Sequence, residues 1–290
     1  MEEVKVKKKY PADKRLKAFQ IPVPGYFMFY FMEAFGIGVF GALLDMALPQ
    51  SLQHGGMVLA ALLMLLVNRL YCLPHYRGML TLKNFGRGMA MGAVLSGICI
   101  LLNFLSSVQS GLIRSGFLKA LLLAMEAGFS EEVMFRGPGI ANFMRVTEKE
   151  EKIPVIFWVS SLSFGLMHLT NLLAGADPLM TVVQTVSAVG AGMLFSAIFL
   201  RTGNLWPGII YHTLVDFACF VSEDLLATDG VLTASITTLD WIYTAVAIPM
   251  AIVSIRMISK KHRGEILAVW AERWNKPSSG QQQGSSRQDI

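Results

Sequence analysis

Eight long apolar stretches, at about 26–48, 56–73, 89–107, 116–135, 153–173, 179–200, 204–222 and 236–257, constrain this chain more than any other feature. Each is near the length that crosses ~30 Å of hydrocarbon at 1.5 Å per residue of helix. The fold they predict is all-α, a polytopic membrane bundle of about eight transmembrane helices. Composition agrees, with 53% hydrophobic and 16% charged residues in 290. The stretch 116–135 is the least apolar, because it holds Lys119, Glu126, Glu131 and Glu132.

Lys and Arg set the orientation. Seven lie in the N-terminal arm (Lys5 to Lys17), four lie at Arg69, Arg77, Lys83 and Arg87, and seven more lie from Arg256 onward. Even numbers of crossings separate these regions, so all of them, and both termini, are expected on the cytoplasmic side. The opposite loops around 49–55, 174–178 and 223–235 carry no Lys or Arg, and that around 108–115 has only Arg114. The net charge of +5 thus speaks for topology and for anionic lipids at the cytoplasmic face. No aromatic-interleaved basic patch accompanies it, so nucleic acid is not an expected partner. The first apolar run starts too late and runs too long for a cleavable signal peptide. Cys72, Cys99 and Cys219 have no paired spacing and read as small apolar fillers.

Four parts follow: a basic cytoplasmic arm (1–22), a transmembrane bundle to which any chemistry belongs (23–258), an amphipathic surface helix (259–275) and a low-complexity, disordered tail (276–290). The surface helix is expected to turn Ile266, Leu267, Val269, Trp270 and Trp274 toward lipid headgroups.

Charges in hydrocarbon cost several kcal/mol unless paired or solvated, which makes each intramembrane polar residue a functional candidate. The candidates are Glu33, Asp45, Glu126, Glu131, Glu132, Arg136, His168, His212 and Asp216. Spacing sorts them. Glu132 and Arg136 are one helical turn apart, the arrangement of an intrahelical ion pair, while Glu131 points about 100° away. Phe164 precedes His168 by one turn and can wall its imidazole, and His212 shares a face with Asp216. Sixteen residues separate Lys152 from His168, or about 24 Å, and eleven separate Arg201 from His212, or about 16 Å. Glu131 reaches a similar depth only if Arg136 is buried by pairing and the helix continues, kinked at Gly137-Pro138-Gly139, toward Arg145 and Lys149. Glu33, Asp45 and Glu126 have no partner the sequence can name and are assigned no role.

Three motifs in order, Glu131-Glu132-Val-Met-Phe-Arg136, Phe164-Gly-Leu-Met-His168 and His212-Thr-Leu-Val-Asp216, resemble EExxxR, FxxxH and HxxxN/D of the CAAX protease and bacteriocin-processing (CPBP, or Abi) family of intramembrane endopeptidases, including the type II CAAX prenyl endopeptidases. The resemblance spans about 115 to 220 by motif and the rest by topology. It implies that Glu131 and His168 polarise a water, while His212 and the residue four later stabilise the tetrahedral intermediate. Asp216 departs from the Asn of prenyl-protein members. An ionised carboxylate repels an oxyanion, so Asp216 must be protonated, or must instead orient and charge His212 as donor.

The residues make sense of that allocation. Hydrolysis needs an activated water and donors to the oxyanion, and no serine or cysteine has a base at a shared spacing. Desolvation makes a carboxylate more basic and a nearby cation opposes this, so Glu132 would neutralise Arg136 and leave Glu131 to carry the catalytic proton. No cofactor is expected. A zinc version held by Glu131, His168 and His212 ranks second, since the spacing of two histidines on one turn around a glutamate is absent. Two other classes keep similar residues: an ion-coupled transporter, for which internal symmetry is missing, and a catalytically idle scaffold or immunity protein. The expected substrate is a membrane protein or amphipathic peptide entering laterally, in a multi-pass protein of a prokaryotic cell membrane.

Overall fold

A computed structural model describes residues 23–52, 54–72, 78–147, 149–229, 231–233 and 236–274. The basic arm, the tail beyond 275 and the side chains of Glu33 and Cys72 lie outside the described residues. Every apolar stretch coincides with a helical element, and among the described residues the only sheet-like pairing is one isolated bridge, Leu112 with Ser222. Among the described residues, four helical segments are long and apolar enough to cross a membrane: Phe85–Ser110, Glu150–Ala174, Pro178–Thr202 and Thr238–Met257.

Helices α1 (Val23–Ala47) and α2 (Gly55–Cys72) form a hairpin, with Gly56 N–H donating to Asp45 Oδ1 at 2.8 Å. Helix α3 (Phe85–Ser110) lies along α9 (Trp206–Phe220), and α7 (Ile153–Met167) packs on α8 (Pro178–Thr202). Chain-terminating chemistry fixes these ends. Pro178 stands in the first turn of α8, where a missing N–H costs nothing, Asp177 accepts from Met180 N at 2.9 Å, and Gly203 ends the helix at φ 61°. Helix α8 is central: 67% of its apolar window is buried, against 22% for α3. The outer helices turn Val94, Leu101, Leu70 and Ile248 outward, a continuous apolar surface that suits hydrocarbon rather than water.

Three predicted elements are subdivided. The stretch 116–135 is α4 (Phe117–Met125), a π turn (Glu126–Glu131) and α5 (Glu132–Phe135), not one regular helix. Gly137 then bends the chain into α6 (Pro138–Val146). Helix α7 continues as a 3₁₀ segment (His168–Ala174), and the last span divides into α11 (Thr238–Ala245) and α12 (Ala247–Met257). A short α10 (Glu223–Ala227) follows α9.

Helix α13 (Lys260–Arg273) forms where a surface helix was expected, but its apolar face points the other way. Ile266, Trp270 and Trp274 are 0%, 1% and 3% exposed and join the main core. Trp270 Nε1 donates to Leu200 O at 3.0 Å and Trp274 Nε1 to Ala141 O at 2.9 Å. The indoles thus bond to carbonyls in the last turn of α8 and midway along α6, which a headgroup layer could not do with fixed geometry. On the polar side, Glu265 meets Arg201 at 2.8 Å and Arg87, and Lys83 meets Glu272 at 2.5 Å. The Arg87 hydrogen bond holds the Glu265 carboxyl below the ordinary glutamate range, against the opposing effect of partial burial.

Candidate active site

The first motif lies on two kinds of backbone. Glu131 is the last residue of the π turn and Glu132 the first of α5, so adjacent glutamates leave the helix on different sides. Glu132 and Arg136 are fully buried, with Arg136 Nη1 donating to Glu132 Oε1 at 2.8 Å. Arg136 Cζ also sits 4.0 Å above the centre of the Phe164 ring. Gly208 of α9 makes room for the carboxylate, since a Cβ there would stand 2.7 Å from Glu132 Oε2.

The second and third motifs arrive from α7 and α9. Phe164 stands between the two imidazoles, edge-on to His168 with ring centres 5.1 Å apart and to His212 at 5.5 Å. His168 Nδ1 is 3.0 Å from Phe164 O. A carbonyl can only accept, so Nδ1 is the donor, and in the neutral imidazole Nε2 is the nitrogen left to accept. His212 is engaged on both sides: Nδ1 lies 3.2 Å from Glu132 Oε1, and Nε2 lies 3.3 Å from Asp216 Oδ2 and 3.8 Å from Glu131 Oε2. Two carboxylate acceptors on two ring nitrogens match a doubly protonated imidazolium.

Glu131, His168, His212 and Asp216 line one cavity of about 540 Å³. Glu132 and Arg136 stand behind its wall. Among the described residues Glu131 Oε2 has no hydrogen-bond partner and no hydrogen bond joins Glu131 to His168, so the two face the same space without closing on each other. The cavity reaches on to His54, Glu126 and Asp229. Glu126, which had no nameable partner in the sequence, is 2.9 Å from His54 Nδ1. His54 sits at the edge of an apolar stretch in no motif, and only tertiary contact shows its relevance. Cys99 and Cys219 are free thiols. Among the described residues no three His, Cys, Asp or Glu side chains gather as they would around a metal ion. His212 in particular has no lone pair to offer while both nitrogens serve carboxylates.

Residues 113–218, which contain all three motifs, match the family model of the type II CAAX prenyl endopeptidase Rce1-like proteins. No curated protein and no solved structure matches the chain. Segment 113–218 is thus similar to the type II CAAX prenyl endopeptidase Rce1-like domain, the same family that its three helix motifs resemble.

Proposed function

We propose that this protein is an intramembrane endopeptidase that hydrolyses a peptide bond with a water activated by Glu131 and His168. The observation that carries this reading is the division between neighbouring glutamates: Glu132 is sealed from solvent and paired with Arg136 and His212, whereas the Glu131 side chain lines the cavity and is 30% exposed. A water held between Glu131 and His168 Nε2 gives up a proton to Glu131 as its oxygen attacks the scissile carbonyl carbon. The Nε2–H of His212 lies long of both Asp216 and Glu131, and a developing oxyanion in the cavity competes favourably for it. Asp216 then acts by keeping His212 charged and oriented. Collapse of the intermediate breaks the C–N bond, and the proton on Glu131 passes to the leaving amine.

The engagement of both His212 nitrogens supports the metal-free version over the zinc one. Incubation with a strong chelator should leave turnover unchanged, and activity lost on metal removal and restored by zinc would reverse this ranking. Eight crossings with both termini cytoplasmic, as the Lys and Arg distribution suggests, put the α13 end of the bundle in the cytoplasm next to anionic lipid. A membrane-embedded or amphipathic peptide is the substrate class suited to a cavity walled by membrane helices. Membrane proteomics comparing wild type with Glu131→Ala is the decisive test: a peptide terminus that vanishes in the variant identifies the substrate, and no altered terminus favours a catalytically idle scaffold.

A further inference from the structure

A π turn is a rare and intrinsically poor arrangement, and it persists where surrounding contacts hold it. This one begins at Glu126 and ends at Glu131, and both carboxylates line the same cavity. Two contacts fix it. On one side α9 crosses it closely, and a Cβ on Gly128 would stand 2.2 Å from Thr213 Oγ1. On the other side Glu126 Oε2 meets His54 Nδ1 at 2.9 Å. His54 comes from a different part of the chain, the link between α1 and α2, and is held at φ 75°, a conformation that a non-glycine residue keeps only when its surroundings demand it. Its other nitrogen lies 3.8 Å from Asp229, which is paired with Lys119 of α4 at 2.5 Å.

From this placement we infer that His54 and Glu126 are positioning residues, an anchor that keeps the π turn open and so presents Glu131 to His212 and the cavity. The inference rests on the reading of Glu131 as the water-activating group. The turn contributes one residue beyond α-helical register. If it relaxed to a regular helix, α4 and α5 would rotate against each other by about 100°, enough to separate Glu126 from His54 or Glu131 from His212. The anchor makes that rotation costly at the Glu126 end while α9 opposes it at Gly128. Glu126 does not touch the reacting atoms, and it acts through backbone geometry.

The test uses the full chain in proteoliposomes with two readouts. One is the rate at which dicyclohexylcarbodiimide, an apolar carboxyl reagent, modifies Glu131, read by mass spectrometry; the other is kcat and KM on a synthetic peptide spanning the cleavage site that the comparison of wild-type and Glu131→Ala membranes yields. Glu126→Leu and His54→Phe should each change the labelling rate of Glu131 several-fold and lower kcat about 10- to 100-fold with little change in KM, as for a misplaced catalytic group. Glu126→Gln and His54→Asn keep a hydrogen-bonding pair and should behave as wild type. The double variant Glu126→Leu/His54→Phe should be no worse than either single one, because the two residues act as a unit. Unchanged labelling and kcat in the apolar variants would overturn the proposal, as would conservative variants that fold yet lose activity. Should the apolar variants fail to fold, Glu126→Ala and His54→Ala take their place, with the same altered labelling and lowered kcat expected and unchanged values overturning the proposal. If labelling responds as expected but Glu131→Gln retains turnover, the anchor stands and the catalytic reading of Glu131 falls.

Discussion

Two regions share the candidate site and differ in how tightly they are determined. Around Glu132, Arg136 and Phe164, side chains have no access to solvent, an ion pair lies under an aromatic face, and glycine on α9 gives the carboxylate its seat. Around Glu131, Glu126 and His54, carboxylates and imidazoles line open space, and Glu131 is about a third exposed. Both regions use the same residue types. Desolvation makes the first a structural unit, because any unpaired charge there is intolerable, and partial solvation leaves the second able to change partners during a reaction. His212 touches both, with Nδ1 on the sealed side and Nε2 on the open side.

The comparison breaks most directly at adjacent positions. Glu131→Gln should reduce turnover about 10²- to 10⁴-fold, the usual contribution of a positioned acid–base group, with unfolding in detergent shifted by less than about 1 kcal/mol. Glu132→Ala should do the reverse in kind, costing about 3–5 kcal/mol of stability because it strands the Arg136 charge in the core. Equal stability losses in the two variants would abolish the distinction between a sealed and an open glutamate. Phe164→Leu is expected to cost about 1–3 kcal/mol through lost ring packing and the cation–π contact, and to lower activity by loosening both imidazoles.

Away from the site, the same logic predicts the smallest effect. Glu265 is exposed to 39% and its ion pairs with Arg87 and Arg201 are screened, so Glu265→Gln should cost less than about 1 kcal/mol at neutral pH. Its folded carboxyl titrates below the ordinary value, so the stabilisation is complete above the unfolded value of about 4.3 and disappears as pH falls through the lowered one. Thermal unfolding of wild type and Glu265→Gln should therefore differ slightly at pH 7 and converge in acid.

Much of the site was legible because it is written in short helical spacings. Glu132 with Arg136, Phe164 with His168 and His212 with Asp216 are each four residues apart, and a helix turns such spacing into a shared face without help from the rest of the chain. The π turn was not legible, because Glu126–Glu131 has no composition that marks it and its support comes from Thr213 and His54, far away in sequence. Nor was the direction of α13. Tryptophan suits a membrane interface and a helix core equally well, and only the carbonyls of Leu200 and Ala141 decide between them.

The sequence by itself determined the helical class, the apolar stretches and the pairing of residues within single helices, since those follow from hydropathy and a 3.6-residue period. The tertiary structure alone decided which faces meet: that His212 bridges Glu132 and Asp216, that Glu126 finds His54, and that one cavity runs past both. Local periodicity fixes the direction of a side chain relative to its own helix. What stands opposite depends on close packing between helices distant in the chain, which no single segment encodes.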